Sequence, residues 1–245
     1  MVDSIKKKSR PSFNPKNQGS DKMLLFVKFV LISGIRVNQF VNFLPFLIIA
    51  LSMDHTPILA NIARYVTLNP EEATYFTSLL HYKKVKRKQY LLEQGDVDSK
   101  IYFVTAGCLR SYAVDKNGGE HVLQFAPPGW WIVDMRSLLT GEPARLNIDA
   151  IEETELFFIN KTDMDALQLK HPIFERFGRM LSENAMATYQ HRQIDNMILS
   201  AMERYGNFCT LYPSLIRSLP QKQVASYIGV TPEFLSKMLN TVVVK

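Results

Sequence analysis

Between residues 83 and 160 the chain switches from apolar to polar positions in short runs, each closed by a turn. Residues 85–92 mix apolar and basic positions and stop at Gln94-Gly95-Asp96. Ile101-Tyr102-Phe103-Val104 is β-branched and aromatic and runs into Ala106-Gly107. Residues 109–114 alternate in part, Asp115-Lys116-Asn117-Gly118-Gly119 supplies a hairpin turn, and residues 120–125 pair back onto them. Pro127-Pro128-Gly129 turns the chain again, and residues 130–133, 147–151 and 155–160 complete the set. Short strands at this spacing predict an antiparallel sandwich, barrel or jelly roll.

The period then changes from two to between three and four. Thr162, three residues before Asp165, predicts a helix start capped by the threonine. His171-Pro172 opens a second helix, with proline in its first turn. From Ile173, positions 173, 177, 180, 184, 187, 191, 194, 198, 201 and 205 alternate spacings of four and three, which is a heptad seam. Its candidate contacts are Phe177, Asn184, His191, Ile194 and Ile198. Asn184 falls where a buried amide can set register. Phe174, Leu181, Met186 and Leu199 lie off the seam, so the helix is expected to pack on the roll as well as on a partner. A helix with two apolar faces needs two things to pack against, and a parallel homodimer is the expected partner.

The most constrained pattern runs from Gln221 to Asn240. Val224, Ile228, Val230, Leu235 and Met238 form its apolar set, and Ala225 is small enough for two helices to approach. Gly229 permits a left-handed turn. Thr231 can cap a second helix that starts at Pro232 and is expected to run to Leu239. The pattern is that of a helix-turn-helix, with a helical hairpin that never meets nucleic acid as the alternative. Glu233, Ser236, Lys237 and Asn240 are left on its outer face, where Glu233 and Lys237 can read base edges, while Thr231 and Gln221 or Gln223 are placed for phosphates and Pro232 starts the reading helix.

Charge and composition sharpen this. The net charge of +6 and the pI of about 9.2 favour an anionic partner, either nucleic acid or a membrane surface. Two cysteines, Cys108 and Cys209, exclude a disulfide framework, a four-cysteine zinc site and a four-cysteine iron–sulfur cluster. A reducing cytoplasm fits that usage. Residues 1–53 read as an extension, basic and then apolar, outside the fold. Their longest uncharged run, residues 37–53, sits at the lower limit for a bilayer span and contains polar residues, so membrane attachment is not expected. The roll is expected over residues 54–161, the linker and long helix over 162–206, and the helix-turn-helix domain over 207–245. Only five residues follow Asn240, so the motif either lacks a full wing or is cut short.

Catalytic and metal chemistry find no support. His121 is the one histidine in the predicted strands, which is too few for a metal-binding roll. No nucleophile–base arrangement surrounds Ser111 or Ser137. No catalytic residue, metal site or cofactor is expected, and the chain does not read as an enzyme.

The order roll, long helix, helix-turn-helix resembles that of the Crp/Fnr family of bacterial transcription regulators. The resemblance is carried by residues 101–104, Gly107-Cys108-Leu109-Arg110, the Gly118-Gly119 hairpin, Pro128-Gly129 and the terminal motif. It implies an α+β chain with an N-terminal antiparallel β jelly roll similar to cyclic-nucleotide-binding domains, a dimerisation helix and a helical DNA-binding domain. It also implies double-stranded DNA, read as an inverted repeat, as the partner of a homodimer. In the family's cyclic-nucleotide binders a Gly-Glu pair follows Pro-Gly, with Arg-Ser a short way on. Here Val133-Asp134 and Ala144-Arg145 stand at those places. The β-branched Val133 blocks close backbone approach to a phosphate, the arginine is displaced by one residue and the serine is missing. Cyclic nucleotide is therefore not the expected ligand. Val133, Asp134 and Arg145 remain candidates for an unidentified small effector, or for a plain ion pair. The competing reading is a dimeric sensor or interaction module that keeps the roll and binds no DNA.

Overall fold

The computed structural model describes residues 53–243, so the expected extension lies, apart from Met53, outside the described residues. Two helices precede the strands, α1 (Thr56–Ile62) and α2 (Pro70–Ser78). The second has a complete capping box. Asn69 accepts from the Glu72 backbone N–H at 2.9 Å, and the Glu72 carboxylate accepts from the Asn69 N–H at 2.8 Å. Pro70 takes the first helical position, where a missing N–H costs nothing. Inward, α1 buries Ile58 and Ile62, and α2 buries Phe76, whose ring stacks on Phe174 at 5.3 Å.

The strands are β1 (His81–Val85), β2 (Tyr90–Leu92), β3 (Lys100–Ala106), β4 (Leu109–Val114), β5 (Glu120–Ala126), β6 (Trp131–Ile132), β7 (Asn147–Ala150) and β8 (Thr154–Asn160). They form two antiparallel sheets, in the orders β1-β8-β3-β6 and β2-β7-β4-β5. This is the expected roll, with one correction. Residues 85–92 are not a single strand: Lys86 to Gln89 turn, with Lys88 at φ 64°, and β1 and β2 join different sheets. Four consecutive polar residues there give neither sheet an apolar side chain to bury. At the β3–β4 turn Gly107 has φ 80°, and a Cβ would lie 2.3 Å from the Glu153 carbonyl oxygen, so only glycine fits. Between the sheets Val85, Tyr102, Val104, Leu109, Ile148 and Leu156 are buried together. Each such side chain contributes about 1.5–3 kcal/mol of transfer free energy.

Six helices complete the chain: α3 (Met135–Thr140), α4 (Lys161–Lys170), α5 (Ile173–Ile198), α6 (Ala201–Leu211), α7 (Gln221–Ile228) and α8 (Pro232–Val243). Thr162 does not cap α4. The helix starts earlier, at Lys161, whose N–H donates to the Ser99 carbonyl at 2.7 Å, and Asn160 sits in the cap position, its amide donating to Asp163 Oδ2 at 3.0 Å instead of accepting a capping bond. The long helix is also shorter than the seam predicts. It stops at Ile198, because Leu199 is extended (ψ 147°) and Ser200 caps a new helix. Ser200 Oγ accepts from the Glu203 N–H, and the Glu203 carboxylate accepts from the Ser200 N–H at 2.8 Å. Ala201 and Tyr205 therefore belong to α6, which spans both sides of the boundary expected at residue 206.

The C-terminal helices share a core with the outer face of β4 and β5. Phe208, Tyr212, Leu215, Val224, Ile228 and Leu235 are buried with Tyr112, Val122 and Phe125 of the roll. Phe125 meets the rings of Tyr212 and Tyr227 at 5.6 Å each. Because β5 ends its sheet, it would leave backbone groups unpaired. Side chains from α5 and α7 satisfy them. Ser226 Oγ donates to the Glu120 carbonyl at 2.6 Å and accepts from the Val122 N–H at 2.9 Å. Arg192 donates to the carbonyls of Val122 (2.9 Å), Leu123 and Tyr227 (2.7 Å), with its guanidinium 3.9 Å from the Tyr227 ring centre.

Candidate functional site

The terminal motif has helix-turn-helix geometry. Val224, Ala225 and Ile228 turn inward from α7. Gly229 ends the helix at φ 74°, ψ 41°, and the Val230 N–H donates to the Ala225 carbonyl at 3.0 Å, which reverses the chain. Thr231 Oγ1 accepts from the Phe234 N–H at 3.2 Å and so caps α8. Leu235 is fully buried against α7. On the other side of α8 Glu233, Lys237 and Asn240 are exposed, and Ser236 is half-buried. Instead of ending at Leu239, α8 continues to Val243.

The preceding helix holds its candidates less evenly. Gln221 and Thr231 are exposed and Pro232 is half-buried. Gln223 is half-buried, and its Oε1 is enclosed without a partner. Two residues absent from the sequence reading stand on this surface. Phe234 is 53% exposed beside Glu233, and Lys222 is exposed between the two glutamines. The signal for Phe234 was an aromatic at a position the core of the motif does not use. A carboxylate, an ammonium, an amide and a ring on one exposed helix face can accept from a cytosine amine, donate to guanine and pack on a thymine methyl.

In the roll the expected effector residues do not converge. Asp134 is buried and caps α3, its Oδ1 accepting from the Ser137 N–H at 2.9 Å. Val133 is half-buried, and Arg145 is exposed with no ion pair among the described residues. The expected Asp134–Arg145 pair is therefore not made, since the helix cap already uses the carboxylate. A second acid stands close by. Asp98 is buried, and its N–H donates to Ser137 Oγ at 2.9 Å. Its Oδ1 accepts from Tyr102 Oη and from the Lys100 N–H, both at 3.2 Å, while Oδ2 has no partner. Burial pushes its pKa above the ordinary carboxylate value, against the pull of Lys100. Asp98 and Asp134, joined through Ser137, make this end of α3 unfavourable for an anion.

The well-formed polar cluster of the roll went unread in the sequence. Arg110 on β4 donates to both oxygens of Asp149 on β7, at 2.7 and 2.9 Å, and to Glu120 on β5 at 2.6 Å. Its guanidinium lies 4.1 Å from the ring centre of Tyr112, whose hydroxyl meets that of Tyr90 at 3.1 Å. Burial opposes the arginine's charge, but the two carboxylates hold its pKa above the ordinary value. The three residues come from three strands, so only the sheet register brings them together. Nearby, burial pushes the Cys108 thiol up to about 12, with Glu152 adding to the shift.

Along α5 the seam divides. Phe177 is a correction: it is buried within the chain, against Trp131 at 5.9 Å and Tyr65 at 5.7 Å. Asn184 and His191 are exposed, as are Ile194 (50%) and Ile198 (72%), with Met197 beside them (82%). Among the described residues no cluster of three metal-ligating side chains occurs, and no helix is long and apolar enough to cross a membrane.

Comparison with known proteins agrees with this layout. Residues 82–171 match the cyclic nucleotide-binding domain family. The chain is 28% identical over 139 residues to the lysophospholipase NTE1 of Cryptococcus neoformans, covering 56% of this chain but only 8% of that protein. It thus spans less than a tenth of that relative's length. It is 24% identical over 191 residues to the regulatory protein HlyX of Actinobacillus pleuropneumoniae, covering 71% of this chain and 76% of the relative. A crystal structure from Eubacterium rectale, described as a transcriptional regulator of the crp/fnr family, superposes with a TM-score of 0.58 at 18% identity, over 72% of this chain and 84% of that one. The chain thus carries a cyclic nucleotide-binding domain, and its roll, long helix and C-terminal helix-turn-helix follow the order and fold of a crp/fnr-type regulator.

Proposed function

We propose that the protein is a DNA-binding transcription regulator whose roll senses a small molecule and whose terminal motif reads DNA. The observation that carries this is the α7–Gly229–α8 reversal, which buries Leu235 and leaves Glu233, Lys237 and Asn240 on one open face. In this reading α8 enters the major groove, where Glu233 and Lys237 discriminate bases. Gln221, Thr231 and Lys222 lie beside phosphates, and the net positive charge supports the approach. The apolar face of α5 carrying Ile194, Met197 and Ile198 pairs with a second copy. Two-fold symmetry then makes the site an inverted repeat with half-sites roughly 10 base pairs apart. In this reading the ligand is not a cyclic nucleotide, which is supported by Val133 in place of the glycine, by Arg145 turned to solvent, and by the buried acids Asp98 and Asp134 at the end of α3.

A gel shift on DNA from upstream of the protein's own gene, at two salt concentrations, tests this. Glu233→Ala and Lys237→Ala should each cost about 1–3 kcal/mol on the specific site and relax its sequence preference. Ile194→Asp should give monomers in sedimentation and weaken operator binding. If wild-type protein shifts no DNA, the molecule is instead a dimeric sensor that only retains the motif.

A further inference from the structure

A cavity of about 150 Å³ lies where the roll meets the segment leading into α7. Its roll side is made by Arg87 of the β1–β2 turn, Cys108, and Ile151 with Glu152 of the β7–β8 turn. Leu215, Leu219 and Pro220 close the other side. The two sides belong to different halves of the molecule, and Pro220 immediately precedes the first residue of α7. The cavity is thus separate from the end of α3, where the cyclic-nucleotide binders of the family hold their ligand.

Its chemistry is specific. Ile151, Leu215, Leu219 and Pro220 give it an apolar part and Ser218, Arg87 and Glu152 a polar one, and 150 Å³ has room for a benzene-sized group. Arg87 and Glu152 are both exposed, and neither side chain makes an ion pair or hydrogen bond among the described residues. Opposite charges, each without a partner, therefore line one cavity that also has an apolar part. A ligand that suits all three features has an apolar body of about six heavy atoms, a carboxylate for Arg87 and an ammonium for Glu152.

We propose that this cavity binds a small zwitterion, an α-amino acid with a branched or aromatic apolar side chain. The side chain fills the space between Ile151 and Leu219, and the head group lies between Arg87 and Glu152. Such a ligand touches the roll and the approach to α7 at once. It binds the docked arrangement more tightly than an undocked one and so shifts the population of helix-turn-helix held against β5. This last consequence rests on the proposed function; the binding site does not.

The test is calorimetry and thermal melting of the full chain with L-phenylalanine and L-leucine. Two controls each lack one charge, 3-phenylpropanoate without the ammonium and phenethylamine without the carboxylate. Arg87→Ala and Glu152→Gln change exposed, unbonded side chains and should melt like wild type without ligand. At least one of the two amino acids should bind wild type, and each control should bind more weakly by roughly tenfold or more. Arg87→Ala and Glu152→Gln should each weaken the amino acid by a similar factor, while Glu152→Gln leaves 3-phenylpropanoate unchanged. The proposal is overturned if neither amino acid binds or if Arg87→Ala binds as wild type does. Loss with Arg87→Ala but not with Glu152→Gln would overturn the amino-acid assignment. Gel shifts of the same proteins without ligand separate the two readings. DNA binding without amino-acid binding sinks this site alone, and the converse sinks the DNA reading alone.

Discussion

The roll closes its interior with its own strands, bringing Val85, Tyr102, Leu109, Ile148 and Leu156 together from both sheets. The C-terminal helices bury Phe208, Tyr212, Val224, Ile228 and Leu235 only by laying them on Tyr112, Val122 and Phe125, which the roll supplies. The difference follows from size. Three short helices enclose too little apolar surface to offset the entropy of ordering them, whereas two four-stranded sheets face to face enclose enough. The dependence runs both ways, because β5 relies on Ser226 and Arg192 to satisfy its free edge. The docked helix-turn-helix is therefore part of how the roll covers a strand edge, and any movement of it has to expose backbone as well as aromatic surface.

Three substitutions probe this contrast, in descending order of effect. Phe125→Ala removes the ring at the centre of the shared core and should cost about 3–5 kcal/mol. Urea unfolding followed by tyrosine and tryptophan fluorescence should show the C-terminal part melting before the roll. A single transition with an unchanged midpoint would mean that the Phe125 ring does not hold the two parts together. Arg192→Met keeps the aliphatic stem but leaves the Val122, Leu123 and Tyr227 carbonyls without their donor. A loss of about 1–3 kcal/mol is expected. Alkylation of Cys108, covered by the docked helices, should speed up in a Cys209→Ser background, and an unaltered rate would place the clamp elsewhere.

The smallest effect lies inside the roll. Burial raises the Asp98 pKa, so the folded chain holds that proton more tightly than the unfolded one. Its contribution is then fully present below about pH 4, the ordinary carboxylate value, and is lost as pH rises through the native pKa. Asp98→Asn keeps the shape without the charge, and it should flatten the fall in melting temperature between pH 4 and 7. Identical pH profiles for the two proteins would show that Asp98 is not held protonated by its surroundings. None of this should alter docking, which separates it from the two seam variants.

Local patterns in the chain were enough for the elements that need only local physics. Alternation and turn residues placed most strands, and the spacing of Val224, Ile228, Val230 and Leu235 around Gly229 placed the helix-turn-helix. The break at Leu199–Ser200 was also written locally, as Ser200 three residues before Glu203, but a continuing heptad pattern masked it. That pattern also put Phe177 on the outer seam. Helical periodicity gives the angle of a side chain around its own axis, not which neighbour stands at that angle, and Trp131 does.

What the sequence determined by itself, then, is the order roll, long helix and helix-turn-helix, most of the strand turns and the exposed face of α8. Those depend on backbone preference and on side-chain period within about twenty residues. Only the tertiary structure decided that Asp134 caps a helix instead of meeting Arg145, and that Arg110 finds Asp149 and Glu120 across three strands. It alone showed that Arg87 and Glu152 share a cavity with Leu219. The Asp134 cap is itself local, but Arg110 with Asp149 and Arg87 with Glu152 and Leu219 are contacts across long stretches of chain, and sheet register and helix docking set such contacts by packing residues whose own sequence neighbourhoods carry no trace of one another.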